Sequence, residues 1–280
     1  MKVAFSPCPN DTFIFHAWVH GLIPGAPKID VTYADIDITN SLAASGKGPD
    51  VVKISYAALP WVLSEYALLP CGGALGRGCG PLVLTPGKLA DTEGPAALAG
   101  RKVAVPSERS TAYLLFRLWA AQQVPGGIGE IIVLPFHEIM PAVRDGEVDA
   151  GLVIHEARFT YPAYGLTLLA DLGSWWEADT KLPIPLGAII ARRSLDLSAI
   201  AGWIRASLKY AWEHPEASQQ FIMQYAQELS PEVARAHINL YVNNFSADLG
   251  EAGYNAVSTL LKRASDEGLV PKVDLAALRS

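Results

Sequence analysis

The sequence predicts an α/β protein of two lobes, and three observations lead there. Apolar runs of strand length alternate with stretches of helical periodicity over most of the chain. A regular strand–helix block at 88–189 interrupts an outer block made of both chain ends, which sets the lobes at 1–87 with 190–280 and at 88–189. Strands near 81–87 and 186–192 then cross between the lobes, and lobes joined in this way leave a cleft, a favoured place for a small molecule.

The strands and helices follow in order. Residues 2–6 read as a strand, 7–11 as a turn, and 12–20 as a helix capped by Asn10 or Asp11 and ended by Gly21. A second strand lies at 29–33, leading through 35–40 to a short helix at 41–45; a third, at 50–54, hands over at Ser55 to a helix at 56–65. Residues 72–80 are glycine-rich and 81–85 form another strand. The inner block has strands at 101–106, 131–135 and 151–154, with helices at 112–122 and 139–145. The strand at 186–192 returns from it. Helical patterns then fill 198–213, 216–229, 231–243 and 249–267, with Pro215 and Pro231 at helix starts and Asp248 with Glu251 as a capping box.

Composition narrows the function classes. Half of the 280 residues are hydrophobic and 18% are charged, enough for a sizeable core. The net charge of −6, without a Lys/Arg cluster, argues against a nucleic-acid partner. The apolar runs are strand-sized and interrupted, so no membrane partner is expected. Met1 to Pro7 enters a strand and turn with no charged segment ahead of a long apolar one, so a cytoplasmic location is expected rather than secretion. Cys8, Cys71 and Cys79 lack CxxC spacing, cannot all pair within one chain, and read as reduced thiols.

The candidate site rests on strand ends. The apolar run Gly151-Leu152-Val153-Ile154 stops at His155, and in open α/β sheets ligands bind outside the carboxyl ends of strands. An imidazole there is either a base acting near neutral pH or a core histidine tied to a backbone carbonyl; crowding by Glu156, Arg158, Tyr161 and Tyr164 favours the base. One junction also recurs three times. Strands lead through Asn10-Asp11, through Ser55, and through Ser107 with Ser110-Thr111 into helices, and each helix start offers free N–H groups to an anion. One such end contributes about 0.3–1 kcal/mol, so several are needed to hold a carboxylate; the plainer reading is that they only start helices. Asn40, closing the 35–40 segment, is counted with these binding candidates. Lys53, charged inside an apolar strand, either snorkels to solvent or neutralises a bound carboxylate.

Other motifs carry less. His16 and His20 stand at i,i+4 spacing, but without HExxH or a third ligand they do not make a metal site. Gly76-Arg77-Gly78-Cys79-Gly80 matches neither phosphate-loop pattern and reads as an approach to a hinge. His137-Glu138 reads as cleft lining or a surface turn, and Trp175-Trp176 as ring stacking or lobe packing. No nucleophile elbow supports acyl transfer.

Several unusual strings, spread nearly end to end, bear a family resemblance. They are Ser6-Pro7-Cys8-Pro9-Asn10-Asp11-Thr12-Phe13, Lys53-Ile54-Ser55-Tyr56-Ala57-Ala58, Gly72-Gly73-Ala74-Leu75-Gly76-Arg77-Gly78, Ile154-His155-Glu156-Ala157-Arg158-Phe159 and Pro185-Leu186-Gly187-Ala188-Ile189. With them the chain resembles the 1,4-dihydroxy-6-naphthoate synthases of the futalosine route to menaquinone. The resemblance implies a two-lobed fold like type II periplasmic binding proteins, used as a carbon–carbon lyase on cyclic dehypoxanthine futalosine. It places the family's proton acceptor on His155 and its substrate-contacting segments on Lys53-Ile54-Ser55 and on Ser110-Thr111, where a family member has two threonines. It implies a small-molecule carboxylate as partner and no metal or redox cofactor, because aromatisation of the product drives the fragmentation; it leaves oligomeric state open. Two rival readings are a chorismate dehydratase of the same pathway and a carboxylate-binding protein without chemistry.

Overall fold

In the computed structural model, which describes residues 1–87, 94–226 and 230–279, the apolar runs become the strands of two sheets. The chain divides into two units, Met1–Gly76 with Pro185–Ser280, and Arg77–Ile184. Strands β1 (Lys2–Phe5), β2 (Asp30–Tyr33), β3 (Val51–Ser55), β4 (Tyr66–Leu68) and β5 (Ala74–Gly76) belong to unit 1. Strands β6 (Leu82–Pro86), β7 (Lys102–Val105), β8 (Glu130–Val133), β9 (Ala150–Val153) and β10 (Leu166–Asp171) belong to unit 2, and β11 (Ile184–Arg192) returns to the first sheet.

The sheet of unit 1 runs β2-β1-β3-β11-β4, with β5 also on β11. β1 is parallel to β2 and β3, while β11 lies antiparallel to β3 and β4. Val3, Ala4 and Phe5 are buried, as expected for a strand covered on both faces. One cover is the Pro9–Val19 helix, whose Phe13, Ile14, Ala17 and Trp18 pack with Ile200, Ile204 and Leu208 of the Leu197–Glu213 helix. Ser207 joins the two helices, donating to Ile14 O at 2.6 Å and accepting from Trp18 N–H at 3.2 Å.

The sheet of unit 2 runs β10-β6-β9-β7-β8. β7 is parallel to β8 and β9, and β6 is antiparallel to β9 and β10. Its core joins Leu82 and Leu84 of β6 to Ala104, Val153 and to Ile139, Met140 and Val143 of the Phe136–Arg144 helix.

Several expectations change. The units divide at 76/77 and 184/185, not at 87/88 and 189/190, because β6 bonds to β9 and β10 while β11 bonds to β3 and β4. β6 stays within unit 2, and β11 starts on Ile184, the last residue of unit 2, with the rest of it in unit 1. The expected lobe start at 88 lies outside the described residues, as do the last three positions of the helix expected at 216–229. The described part of that helix is a 3-10 turn, Pro215–Ser218, followed by Gln219–Tyr225. Pro60 limits the helix expected at 56–65 to a 3-10 segment, Tyr56–Trp61. The second helix starts five residues early, spanning Ile36–Ala44. The 249–267 helix begins after Leu249 without a side-chain cap, and the capping box is instead Asn243 with Ser246. Among the described residues no helix is long and apolar enough to cross a membrane.

Candidate active site

In both sheets the parallel strands deliver their carboxyl ends to the residues singled out above. At the end of β1 the helix starts at Pro9, with Cys8 as its N-cap and no side-chain cap. Asn10 and Asp11 are therefore inside the helix rather than capping it, because Pro at the first position needs no N–H partner and lets the helix begin earlier. Their side chains turn to a buried network. Lys53 Nζ donates to Asp11 Oδ1 at 2.7 Å and to Gly72 O at 3.0 Å. Ser6 Oγ donates to Asp11 Oδ2 at 2.7 Å and accepts from Cys8 N–H at 3.4 Å. Asn10 Nδ2 donates to Asp11 Oδ1 at 2.8 Å, which makes Asn10 Oδ1 the acceptor for His237 Nε2–H at 3.0 Å.

Lys53 and Asp11 are each 3% exposed. Lys53 therefore does not snorkel, and its charge is already met by a carboxylate of the chain itself. Breaking such a pair strands the other charge in a poorly solvated place, a loss of about 3–5 kcal/mol. Lys53 and Asn10 are thus both tied into the hydrogen-bond network around the β1 turn.

At the end of β3, Asn40 Oδ1 accepts from Ser55 N–H at 2.8 Å and Asn40 Nδ2 donates to Ser55 Oγ at 3.0 Å. Ser55 Oγ accepts in that bond, so its own hydrogen is left for another acceptor. Asn40 thus holds Ser55 by two hydrogen bonds. Ile54, fully buried and paired with Ala188 of β11, offers no side-chain surface to a ligand.

At the end of β7, Ser110 is the N-cap of the Thr111–Gln123 helix: its Oγ accepts from Tyr113 N–H at 3.1 Å and donates to Ser107 O at 3.0 Å. Ser107 Oγ accepts from Arg109 N–H at 3.3 Å. The helix N-terminus is thereby fixed, with Thr111 at its first position and buried.

At the end of β9 stands His155, half-buried, with φ of 56°. Left-handed backbone is uncommon for any residue but glycine. The Phe136 ring meets the imidazole edge-on, 5.4 Å between centroids, and Arg158 N–H donates to His155 O at 3.3 Å. Glu156, next to it, is buried.

The remaining motifs resolve as structure. His20 bonds through Nδ1 to His16 O at 2.8 Å, and the two rings lie 4.5 Å apart. Burial, and then the His20 charge, lower the His16 pKa to about 4. The three cysteines are buried thiols, and burial pushes those of Cys71 and Cys79 up to about 12. Arg77 and the Gly78 N–H bind Glu177, so the glycine-rich segment is pinned to the Leu172–Thr180 helix just after the unit boundary. His137 is exposed on the surface. Trp176 is buried with its Nε1–H on Pro183 O, and Trp175 donates to Gln122.

Sequence reasoning passed over His237, Ser6 and the pairing of Arg158 with Asp171. Ala234, His237 and Tyr241 form the buried stripe of the Pro231–Tyr241 helix, and that i, i+3, i+7 spacing was the available signal for His237.

With these strand ends in place, the comparisons with known proteins decide the family. A family model described as menaquinone biosynthesis matches residues 1–266. The chain belongs to this family. The 1,4-dihydroxy-6-naphthoate synthase of Streptomyces coelicolor is 65% identical over 281 residues, which covers 99% of this chain and 97% of that one. The enzyme of the same name from Thermus thermophilus is 46% identical over 272 residues, covering 96% and 95%. A solved Candida albicans protein with the generic periplasmic binding protein fold superimposes with a TM-score of 0.70 at 16% identity, covering 100% of this chain and 93% of that one. This menaquinone-biosynthesis enzyme thus carries the two-lobed α/β fold of periplasmic binding proteins.

Proposed function

We propose that the protein is a carbon–carbon lyase that converts cyclic dehypoxanthine futalosine into 1,4-dihydroxy-6-naphthoate, with His155 as general base. The observation that carries this reading is His155 itself: a half-buried imidazole held with φ of 56° at the carboxyl end of a central parallel strand. A strained backbone of this kind costs of order 1–3 kcal/mol and persists where the surroundings enforce it, typically at functional sites. The relatives named 1,4-dihydroxy-6-naphthoate synthase support the product in this reading.

In this mechanism the neutral imidazole takes a proton from carbon. The electron pair left behind drives cleavage of a carbon–carbon bond as the new ring becomes aromatic, and a three-carbon fragment departs. A positioned histidine base contributes about 10²–10⁴-fold. The substrate carboxylate is met by the N-terminus of the Thr111–Gln123 helix, with the Thr111 hydroxyl. Ser110 acts one step back, capping the helix that carries Thr111.

The test is incubation of purified protein with cyclic dehypoxanthine futalosine, following the naphthoate by absorbance and mass. His155→Ala should lower turnover by at least about 100-fold and leave substrate binding within a few-fold. Near-normal turnover by that variant removes His155 as the base, and substrate bound but recovered unchanged by the wild-type protein leaves a binding protein only.

A further inference from the structure

We infer that Arg158 is the positioning residue for His155, clamping the turn behind β9 to two fixed anchors so that the imidazole keeps its strained backbone. The inference rests on the reading of His155 as the base. A left-handed residue relaxes unless the chain beside it is held, and the helix that follows, Ala157–Thr160, is a single turn, too short to hold itself. Arg158 ties this turn to groups outside it. Its backbone N–H donates to His155 O at 3.3 Å, beside the Phe159 N–H to Glu156 O bond at 2.8 Å. Its guanidinium reaches away from the turn, with Nη2 donating to Asp171 Oδ2 at 2.6 Å and Nη1 to Gly80 O at 2.8 Å.

Both anchors are themselves fixed. Asp171 uses its other oxygen, Oδ1, to cap the Leu172–Thr180 helix, accepting from Gly173 N–H at 2.9 Å and Ser174 N–H at 3.2 Å. Gly80 lies so close against Gly173 that a Cβ on Gly80 would stand 2.1 Å from Gly173 N. The Arg158 and Asp171 side chains are 19% and 15% exposed, so solvent screens this pair less than a surface one. The fork geometry is needed as well. A guanidinium serves a carboxylate and a carbonyl in two directions from one planar group, whereas a lysine ammonium is a single point on a flexible stem.

The experiment uses Arg158→Lys and, as a second variant, Asp171→Asn in the full chain. Asparagine keeps a cap acceptor for the Leu172–Thr180 helix while removing the charge that faces Arg158. For each variant kcat and KM are measured on cyclic dehypoxanthine futalosine, and the ring signals of the six histidines are followed by NMR. The expected result is a kcat lower by about 10- to 100-fold with KM changed less than about threefold, and a displaced His155 signal with the other five in place. Unchanged kcat, or a fall in kcat with the His155 signal unmoved, overturns the inference. The His155→Ala variant separates the two readings: turnover that survives it ends the base assignment, while displacement of the His155 signal in Arg158→Lys reports the clamp by itself.

Discussion

His16 shows what burial does to an imidazole. Among the described residues its Nδ1 has no hydrogen-bond partner, and the ring packs with Phe221, Tyr210 and the ring of His20. Protonation would put a charge there, so the pKa falls from 6.5 to about 4. Above about pH 6.5 the folded and unfolded chains both hold His16 neutral. Between about 6.5 and about 4 only the unfolded chain takes the proton, so stability falls as pH drops through that window. His16→Phe keeps an aromatic ring and removes the titration. Urea midpoints at pH 7.5 and pH 5 should therefore lie closer together in the variant than in wild type, and equal gaps would show that His16 does not titrate differently on folding. His237 is the contrasting case, since its Nε2–H is committed to Asn10 and so fixes the tautomer. Lys53 was legible as an anomaly, a charge inside an apolar strand, but its partner was not. Asp11 lies 42 residues away, and only the parallel pairing of β1 with β3 brings the two together.

Among the elements, the strand-to-helix junctions were the most readable, because an apolar run that stops at Ser, Asn or His marks both an element boundary and a strand end. His155, Ser55 and Ser110 all lie where that pattern put them. The cap at the first helix was misassigned because Asn and Asp are good caps in isolation, while Pro9 starts the helix earlier and the buried Lys53 recruits Asp11. β4 and β5 are three residues each, too short for periodicity to register, and β10 is an edge strand that follows the aromatic turn at 161–165. The Gly80–Gly173 contact could not be foreseen at all, since it joins backbones 93 residues apart. It gives an element-scale prediction. Gly80→Ala places a methyl against backbone that cannot yield, and should destabilise the protein by about 1–3 kcal/mol in urea unfolding. Gly78→Ala meets open space, and its cost is confined to a left-handed φ of 66°, about 1–2 kcal/mol. Only the Gly80 change should also disturb the Arg158 anchor, so lost turnover in Gly78→Ala alone would contradict this account of the contact.

At the scale of the whole molecule, the discontinuous organisation was readable from the regular inner block, but its limits were not. A strand belongs to the sheet that takes its hydrogen bonds, and spacing along the chain does not say which sheet that is. The same fact predicts which parts of the molecule can fold alone. Unit 2, Arg77–Ile184, is one continuous segment that contains all five strands of its sheet and its own apolar core around Ile139, Val143 and Leu84. Expressed by itself it should give α/β circular dichroism and a cooperative thermal transition, though it will not turn over substrate. The segment Met1–Gly76 is in the opposite position. It lacks β11, which sits between β3 and β4, and it lacks the Leu197–Glu213 helix, which covers Phe13, Ile14 and Trp18. Without them β3 exposes an unpaired edge and the first helix an apolar face, so this fragment should aggregate or remain unfolded. A cooperative, monomeric Met1–Gly76 fragment, or an unfolded Arg77–Ile184 fragment, would mean that stability is shared across the unit boundary rather than held within each sheet.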